Sequence, residues 1–64
     1  MLYSRDRYPE EMKMLPNEVR HQAIKFTNEM IVDGDVRHHE DLIIAIAIQK
    51  AKKWDRDRKQ AEQN

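Results

Sequence analysis

The apolar positions between residues 16 and 32 predict an amphipathic helix. They recur at steps of three and four, which places them on one stripe of a helix. Pro16 indicates the start, because the fixed φ of proline suits a first helical position. Gly34, the only glycine in the chain, indicates the end, because glycine readily adopts the left-handed conformation. We expect this stripe to form part of the core through Val19, Ala23, Phe26 and Met30.

A dense apolar block, residues 42–48, follows after a short polar stretch. Its alternation of isoleucine and alanine is compatible with a strand, since β-branched residues at a period of two are typical of strands. The following residues favour a helix, because residues 49–63 lack glycine and proline and are rich in helix-forming types. We therefore predict a loop over residues 33–38, a second helix over residues 39–59 and a frayed tail over residues 60–64.

The apolar block is too hydrophobic all round for a helix that buries one face only. One stripe of the predicted second helix should face the first helix as core. This core stripe consists of Ile43, Ile44, Ala47, Ile48, Ala51 and Trp54. A second set, Leu42, Ala45 and Ile46, points away from that stripe and is called the outer apolar set below. Since a two-helix hairpin cannot cover both sets, either the N-terminal segment or another copy of the chain must cover the outer one.

The first fifteen residues show no clear period. We expect an extended start over residues 1–8 and a short helical turn over residues 9–15, beginning at Pro9. The predicted fold is therefore a single all-α domain in which a short N-terminal helical turn precedes an antiparallel two-helix hairpin. We expect a homodimer to complete it, with an interface formed by Leu42, Ala45 and Ile46 and assisted by Tyr8 and Met12.

Length and composition exclude several classes of protein. A chain of 64 residues forms at most one domain, and it buries only about 60% of the surface that its unfolded chain exposes. There is no cysteine, so disulfides and thiolate metal sites are absent, which suits a bacterial cytoplasm. Twelve basic residues balance twelve acidic ones, so no overall field attracts nucleic acid. The apolar block is far shorter than the roughly 20 residues of a membrane span.

Two local clusters suggest chemistry, each with a structural alternative. The run His38-His39-Glu40-Asp41 has the ligand types of a divalent metal site. We favour a helix start for it, because adjacent helical residues point in different directions and acidic residues stabilise a helix N-terminus. The lysines and arginines around Trp54 resemble a nucleic-acid strip with a stacking aromatic. We favour a solvated, ion-paired face there, because Asp55 and other acidic residues interrupt the strip and Trp54 lies on the core stripe.

No arrangement of residues indicates catalysis. The chain lacks cysteine and a glycine-rich phosphate loop, and Ser4 has no paired base in the sequence. We also expect no pocket of a few hundred Å³, because the predicted elements are short. The sequence therefore predicts neither an enzyme nor a cofactor. It predicts a protein that acts through protein–protein interaction or self-assembly, with a small nucleic-acid-associated or cation-linked regulatory protein as the alternative.

The order of several short motifs resembles a family of small uncharacterised bacterial helical proteins. The chain is similar to the N-terminal part of the YdaT-type proteins and, more distantly, to the ChaB-like proteins described as putative cation-transport regulators. The resemblance implies a small helical fold, and its distant branch implies the cation-linked alternative. The residues that carry it are Tyr8-Pro9, Met12-Lys13-Met14-Leu15, Val19-Arg20, Ala23-Ile24, Asn28, Gly34, Ala45-Ile46-Ala47 and Ala51-Lys52-Lys53-Trp54.

Overall fold

The computed structural model describes residues 2–34 and 39–63. The first helical element is a short 3₁₀ helix, Glu10–Met12. Two α-helices follow it: α1, Asn17–Val32, and α2, Glu40–Gln63. Ion pairing between Arg58 and Glu18 joins the end of α2 to the start of α1, so the two helices run antiparallel. The predicted all-α hairpin is confirmed for these residues.

Proline and glycine set the limits of α1 as the sequence predicts. Pro16 occupies the N-cap position with φ −56° and ψ 152°, and Glu18 lies in the first turn. Gly34 follows the last turn with φ +70°, and its N–H donates to the carbonyl of Ile31 at 3.1 Å. This left-handed conformation is the one that glycine adopts without steric cost. Of the predicted loop, residues 35–38 lie outside the described residues.

The second helix is longer than the sequence predicts. It runs to Gln63, whereas we expected it to end at Lys59 and a frayed tail to follow. The extra residues include glutamine, alanine and glutamate, all good helix formers, and no proline or glycine interrupts them. At the other end Glu40 and Asp41 lie in the first turn, as expected for acidic residues near a positive helix end.

The core lies in the seam between the two helices and under the N-terminal segment. Most of the predicted core residues are buried, but four of them, Phe26, Met30, Ile48 and Trp54, are only half-buried because they lie at the edges of the seam. Thr27 is fully buried, and its hydroxyl donates to the carbonyl of Ala23 at 2.8 Å, which satisfies its polar group. The buried apolar residues are Met12, Val19, Ala23, Ile24, Ile43, Ile44, Ala47 and Ala51.

Residues 2–15, called the N-terminal segment below, pack against this core from one side. Met12 at the end of the 3₁₀ helix has no exposed surface and belongs to the central cluster. Tyr8 is half-buried against the same cluster, and the guanidinium of Arg20 lies 5.1 Å from the centre of its ring. Assigning Met12 to a dimer interface was therefore wrong, whereas the assignment of half-buried Tyr8 stays a prediction. A core of so few residues needs the additional apolar side chains of its own N-terminal segment.

Two hydrogen bonds fasten the N-terminal segment to α1. The backbone N–H of Tyr3 donates to Oδ1 of Asn28, and Nδ2 of Asn28 donates to the carbonyl oxygen of Tyr3, both at 2.9 Å. One side chain thus satisfies the donor and the acceptor of one backbone residue, as a neighbouring strand would. Asn28 therefore fixes the position of Tyr3, and with it the start of the N-terminal segment, relative to α1.

Replacing Asn28 by alanine should loosen this attachment. We expect a loss of about 1–2 kcal/mol in the free energy of unfolding, because two hydrogen bonds disappear at a half-buried site. Urea unfolding measures the loss, and trypsin cleavage after Arg5 or Arg7 should become faster. Replacing Glu29, the exposed neighbour of Asn28, by alanine is the matched control. An unfolding midpoint and a cleavage rate equal to those of the control would contradict the proposed attachment.

Candidate interaction surface

The outer apolar set lies on the side of α2 that turns away from the core. Leu42 is 47% exposed, Ala45 is exposed and Ile46 is half-buried. The adjacent core residues Ile43 and Ile44 are only 5% and 6% exposed. The helical period that places Ile43 and Ile44 in the seam therefore leaves the neighbouring apolar residues outside it.

The N-terminal segment does not cover the outer apolar set. It is held at Asn28 of α1 and packs on the cluster that includes Ile24, Ile44 and Ala51. Leu42 and Ala45 remain exposed with the segment in its packed position. Residues 2–15 therefore do not provide the cover that the sequence left open as one of two alternatives.

Half-buried residues of α1 extend the apolar surface. Nζ of Lys50 lies 5.7 Å from the centre of the Phe26 ring, on the edge of the seam. From the antiparallel geometry we infer that Met30 of α1 and Ile46 of α2, one turn further along each helix, lie at about the same level. Both side chains are half-buried. We call the resulting surface the open flank, and it consists of Phe26, Met30, Leu42, Ala45 and Ile46.

Other exposed hydrophobic side chains are scattered along the described chain. Leu2 is 51% exposed, Met14 is 91% exposed and Val32 is 69% exposed. Met14 belongs to the N-terminal segment, and Val32 ends α1. Single exposed apolar residues are normal on protein surfaces and need no partner. The open flank differs from them because Leu42, Ala45 and Ile46 lie within little more than one turn of the same helix.

A hydrogen bond between Tyr3 and Glu40 joins the N-terminal segment to the start of α2. The phenol donates to the Glu40 carboxylate, and this bond, with smaller contributions from burial and from nearby carboxylates, raises the pKa of Tyr3 to about 12. The neutral phenol is therefore the form that the folded chain favours. A raised pKa means that this contribution to stability is complete below the unfolded pKa of 10.0 and is lost as the pH rises through about 12.

The Tyr3→Phe variant tests this bond. Near neutral pH it should be slightly less stable than the wild type, by under about 1 kcal/mol, because the pair is exposed and water screens it. As the pH rises from about 9 to about 12 the difference should shrink towards zero. Urea unfolding of both proteins over this range measures it, and comparison with the variant isolates the contribution of the Tyr3 phenol. A constant difference would show that the phenol does not titrate as described.

The run of possible metal ligands is only partly described. His38 lies outside the described residues, and His39, Glu40 and Asp41 are all exposed. Glu40 accepts from Tyr3, and Asp41 accepts from the backbone N–H of Leu42 at 3.0 Å. Within residues 2–34 and 39–63, no group of three side chains has the arrangement of a metal site.

The face of Trp54 is occupied by a basic residue of its own helix. The guanidinium of Arg58 lies 4.8 Å from the centre of the Trp54 ring, which is half-buried. Arg58 also pairs with Glu18 and, at 2.8 Å, with Asp55. Hydrogen bonds from Arg58 and Lys59 lower the pKa of Asp55. These contacts form an ion-paired edge, so a nucleic-acid base could stack on this face of Trp54 only by displacing Arg58.

The structure contains a groove that the sequence did not predict. Between the N-terminal segment and α1 lies an open cavity of about 660 Å³, so the expectation of no sizeable pocket was wrong. The groove forms because the segment crosses α1 beyond Tyr3 without filling the space beside Ile24. Its rim carries both signs of charge and selects no single class of ligand. The charged residues of the rim are Arg5, Lys25, Glu29 and Asp33.

Comparison with protein-family models, curated proteins and solved structures found no match to this chain. The resemblance to YdaT-type and ChaB-like proteins therefore stays a prediction. Among the described residues, neither α-helix combines the length and apolar character that a bilayer span requires.

Proposed function

We propose that the protein functions through protein–protein interaction and that the open flank is the surface through which it self-associates as a homodimer. The observation that carries the proposal is the uncovered outer apolar set. Leu42 and Ala45 stay exposed beside half-buried Ile46, although the N-terminal segment is packed elsewhere on the hairpin. Contiguous apolar surface of this kind is typical of sites where proteins associate.

The size of the chain supports a second copy as the partner. A domain of this length has a small core, and chains of this size gain stability from disulfides, metals or partner subunits. Disulfides are excluded because there is no cysteine, and the described residues show no metal cluster. Twofold association buries the open flank of both copies at once, since a twofold interface uses the same surface on each subunit. A cysteine-free chain also suits the reducing cytoplasm, which we propose as its location.

The dependence of stability on protein concentration tests the proposal. Because only the folded form dimerises, a roughly hundredfold increase in concentration stabilises it by up to about 2.7 kcal/mol per mole of dimer at 25 °C. Urea unfolding at about 1 µM and about 100 µM measures this shift in the midpoint. A monomeric protein would unfold at the same urea concentration in both samples, and this result would contradict self-association.

A further inference from the structure

The charges on α2 are arranged asymmetrically around the apolar block. The acidic residues Glu40 and Asp41 immediately precede the block, whereas Lys50, Lys52 and Lys53 follow it. All five side chains are exposed. Two helices with this pattern repel each other at both ends when they lie parallel. They attract each other at both ends when they lie antiparallel, because each acidic end then meets a basic end.

Helical geometry places one acid and one base on the same side of α2. Asp41 and Lys52 are separated by eleven residues, which is about three turns and about 16 Å along the axis. They therefore flank the outer apolar set from one side, and the midpoint between them lies at the level of Ile46 along the axis, with Ile46 itself about 120–140° further round the helix. In an antiparallel pair related by a twofold axis, residues on the same side of the two helices face each other. Asp41 of one copy then lies opposite Lys52 of the other. Because the pair is twofold symmetric, the dimer contains two such ion pairs.

We propose that the partner at the open flank is a second copy whose α2 lies antiparallel to the first, with the twofold axis near Ile46 and two Asp41–Lys52 ion pairs between the copies. Near the axis, Ile46 contacts its own counterpart, and the small side chain of Ala45 lets the two helices approach closely. Leu42 faces residues 49–53 of the second copy, where lysine stems cover apolar surface. This inference rests on the proposed function and specifies its geometry.

Charge reversal tests the orientation. Asp41→Lys and Lys52→Asp each turn two attractions into two repulsions, and each should raise the dimer dissociation constant about tenfold at low salt. Neither substitution removes a core contact, since both sites are exposed. The variant that carries both changes should dimerise with nearly wild-type affinity, because the reversed ends are again complementary.

Mixing the two single variants separates pairing between copies from effects within one chain. Asp41→Lys alone also removes a favourable charge from the start of α2, which weakens the monomer whatever its partner. A heterodimer of the two single variants, however, contains two correct acid–base pairs. Sedimentation equilibrium of the equimolar mixture should therefore show nearly wild-type dimerisation, while each variant alone dissociates.

Two results would overturn the inference, and they can be distinguished. If the wild type dimerises but the mixture of single variants does not recover, the antiparallel pairing is wrong while self-association stands. If the wild type remains monomeric at all concentrations, both the orientation and the proposed function fail. Raising the salt concentration provides a further check, because exposed ion pairs weaken as salt screens them.

Discussion

Replacing Ile44 by aspartate should unfold the chain. Ile44 is 6% exposed and belongs to the cluster that joins α1, α2 and the N-terminal segment. The change removes an apolar side chain from the core and places a carboxylate among apolar residues, where burial of a charge is costly. We expect a loss of at least about 4 kcal/mol, which is close to the whole stability of a domain of this size.

Far-UV circular dichroism and urea unfolding measure this effect. The variant should lack most of the helical signal of the wild type at 25 °C, or should unfold at a much lower urea concentration. Ile44→Val is the control, because it keeps an apolar side chain and should cost only about 0.5–1.5 kcal/mol. A fully helical Ile44→Asp variant with a wild-type urea midpoint would mean that Ile44 does not lie in the core.

Replacing Ile46 by aspartate, two residues further along, should separate the subunits without unfolding them. Ile46 is half-buried at the edge of the seam, so a carboxylate there can reach water in the monomer. In the proposed dimer the two new carboxylates face each other near the twofold axis and lose their hydration. We expect the dissociation constant to rise at least about a hundredfold, which corresponds to about 2.7 kcal/mol.

The comparison with Ile44→Asp makes this test specific, because the two variants carry the same chemical change on the two faces of α2. Ile46→Asp should keep its helical circular dichroism at concentrations where sedimentation shows a monomer. Gln60→Asp is a further control, since it adds the same charge at an exposed position of α2 outside the open flank. If Ile44→Asp and Ile46→Asp behave alike, the division of α2 into a core face and an outer face is wrong.

The helices could be predicted from the sequence because local rules determine them. Apolar residues at steps of three and four, a proline at the start and a glycine after the end specify α1 without reference to the rest of the chain. The same local rules placed Ile43, Ile44, Ala47 and Ala51 on the buried face of α2. The end of α2 was less well predicted, because good helix formers continue to Gln63 and no stop residue marks an end.

The position of the N-terminal segment could not be predicted in the same way. It depends on Asn28 reaching the backbone of Tyr3 across 25 residues of sequence and on Tyr3 reaching Glu40 across 37. The periodicity of apolar residues in the sequence does not indicate such long-range contacts. Met12 was assigned to an interface for this reason, although it fills the core, and the groove beside Ile24 was not expected.

The candidate interaction surface was predicted because α2 carries more apolar side chains than its buried face can hold. The sequence showed that the block from Leu42 to Ile48 has more apolar side chains than one helix face can bury. It did not show whether the N-terminal segment covers the excess. The structure places that segment against the Ile24 and Ile44 side of the hairpin and leaves Leu42 and Ala45 exposed. Phe26 packs against the core as expected, but it and Met30 are only half-buried and border this surface at the edge of the seam.

Sedimentation equilibrium of the wild-type protein over a wide concentration range tests the central claim most directly, because self-association through the open flank is the basis of the proposed function. The account predicts a reversible transition to twice the 7.8 kDa mass of one chain as the concentration rises. A folded protein that keeps the mass of a single chain at every concentration would contradict it.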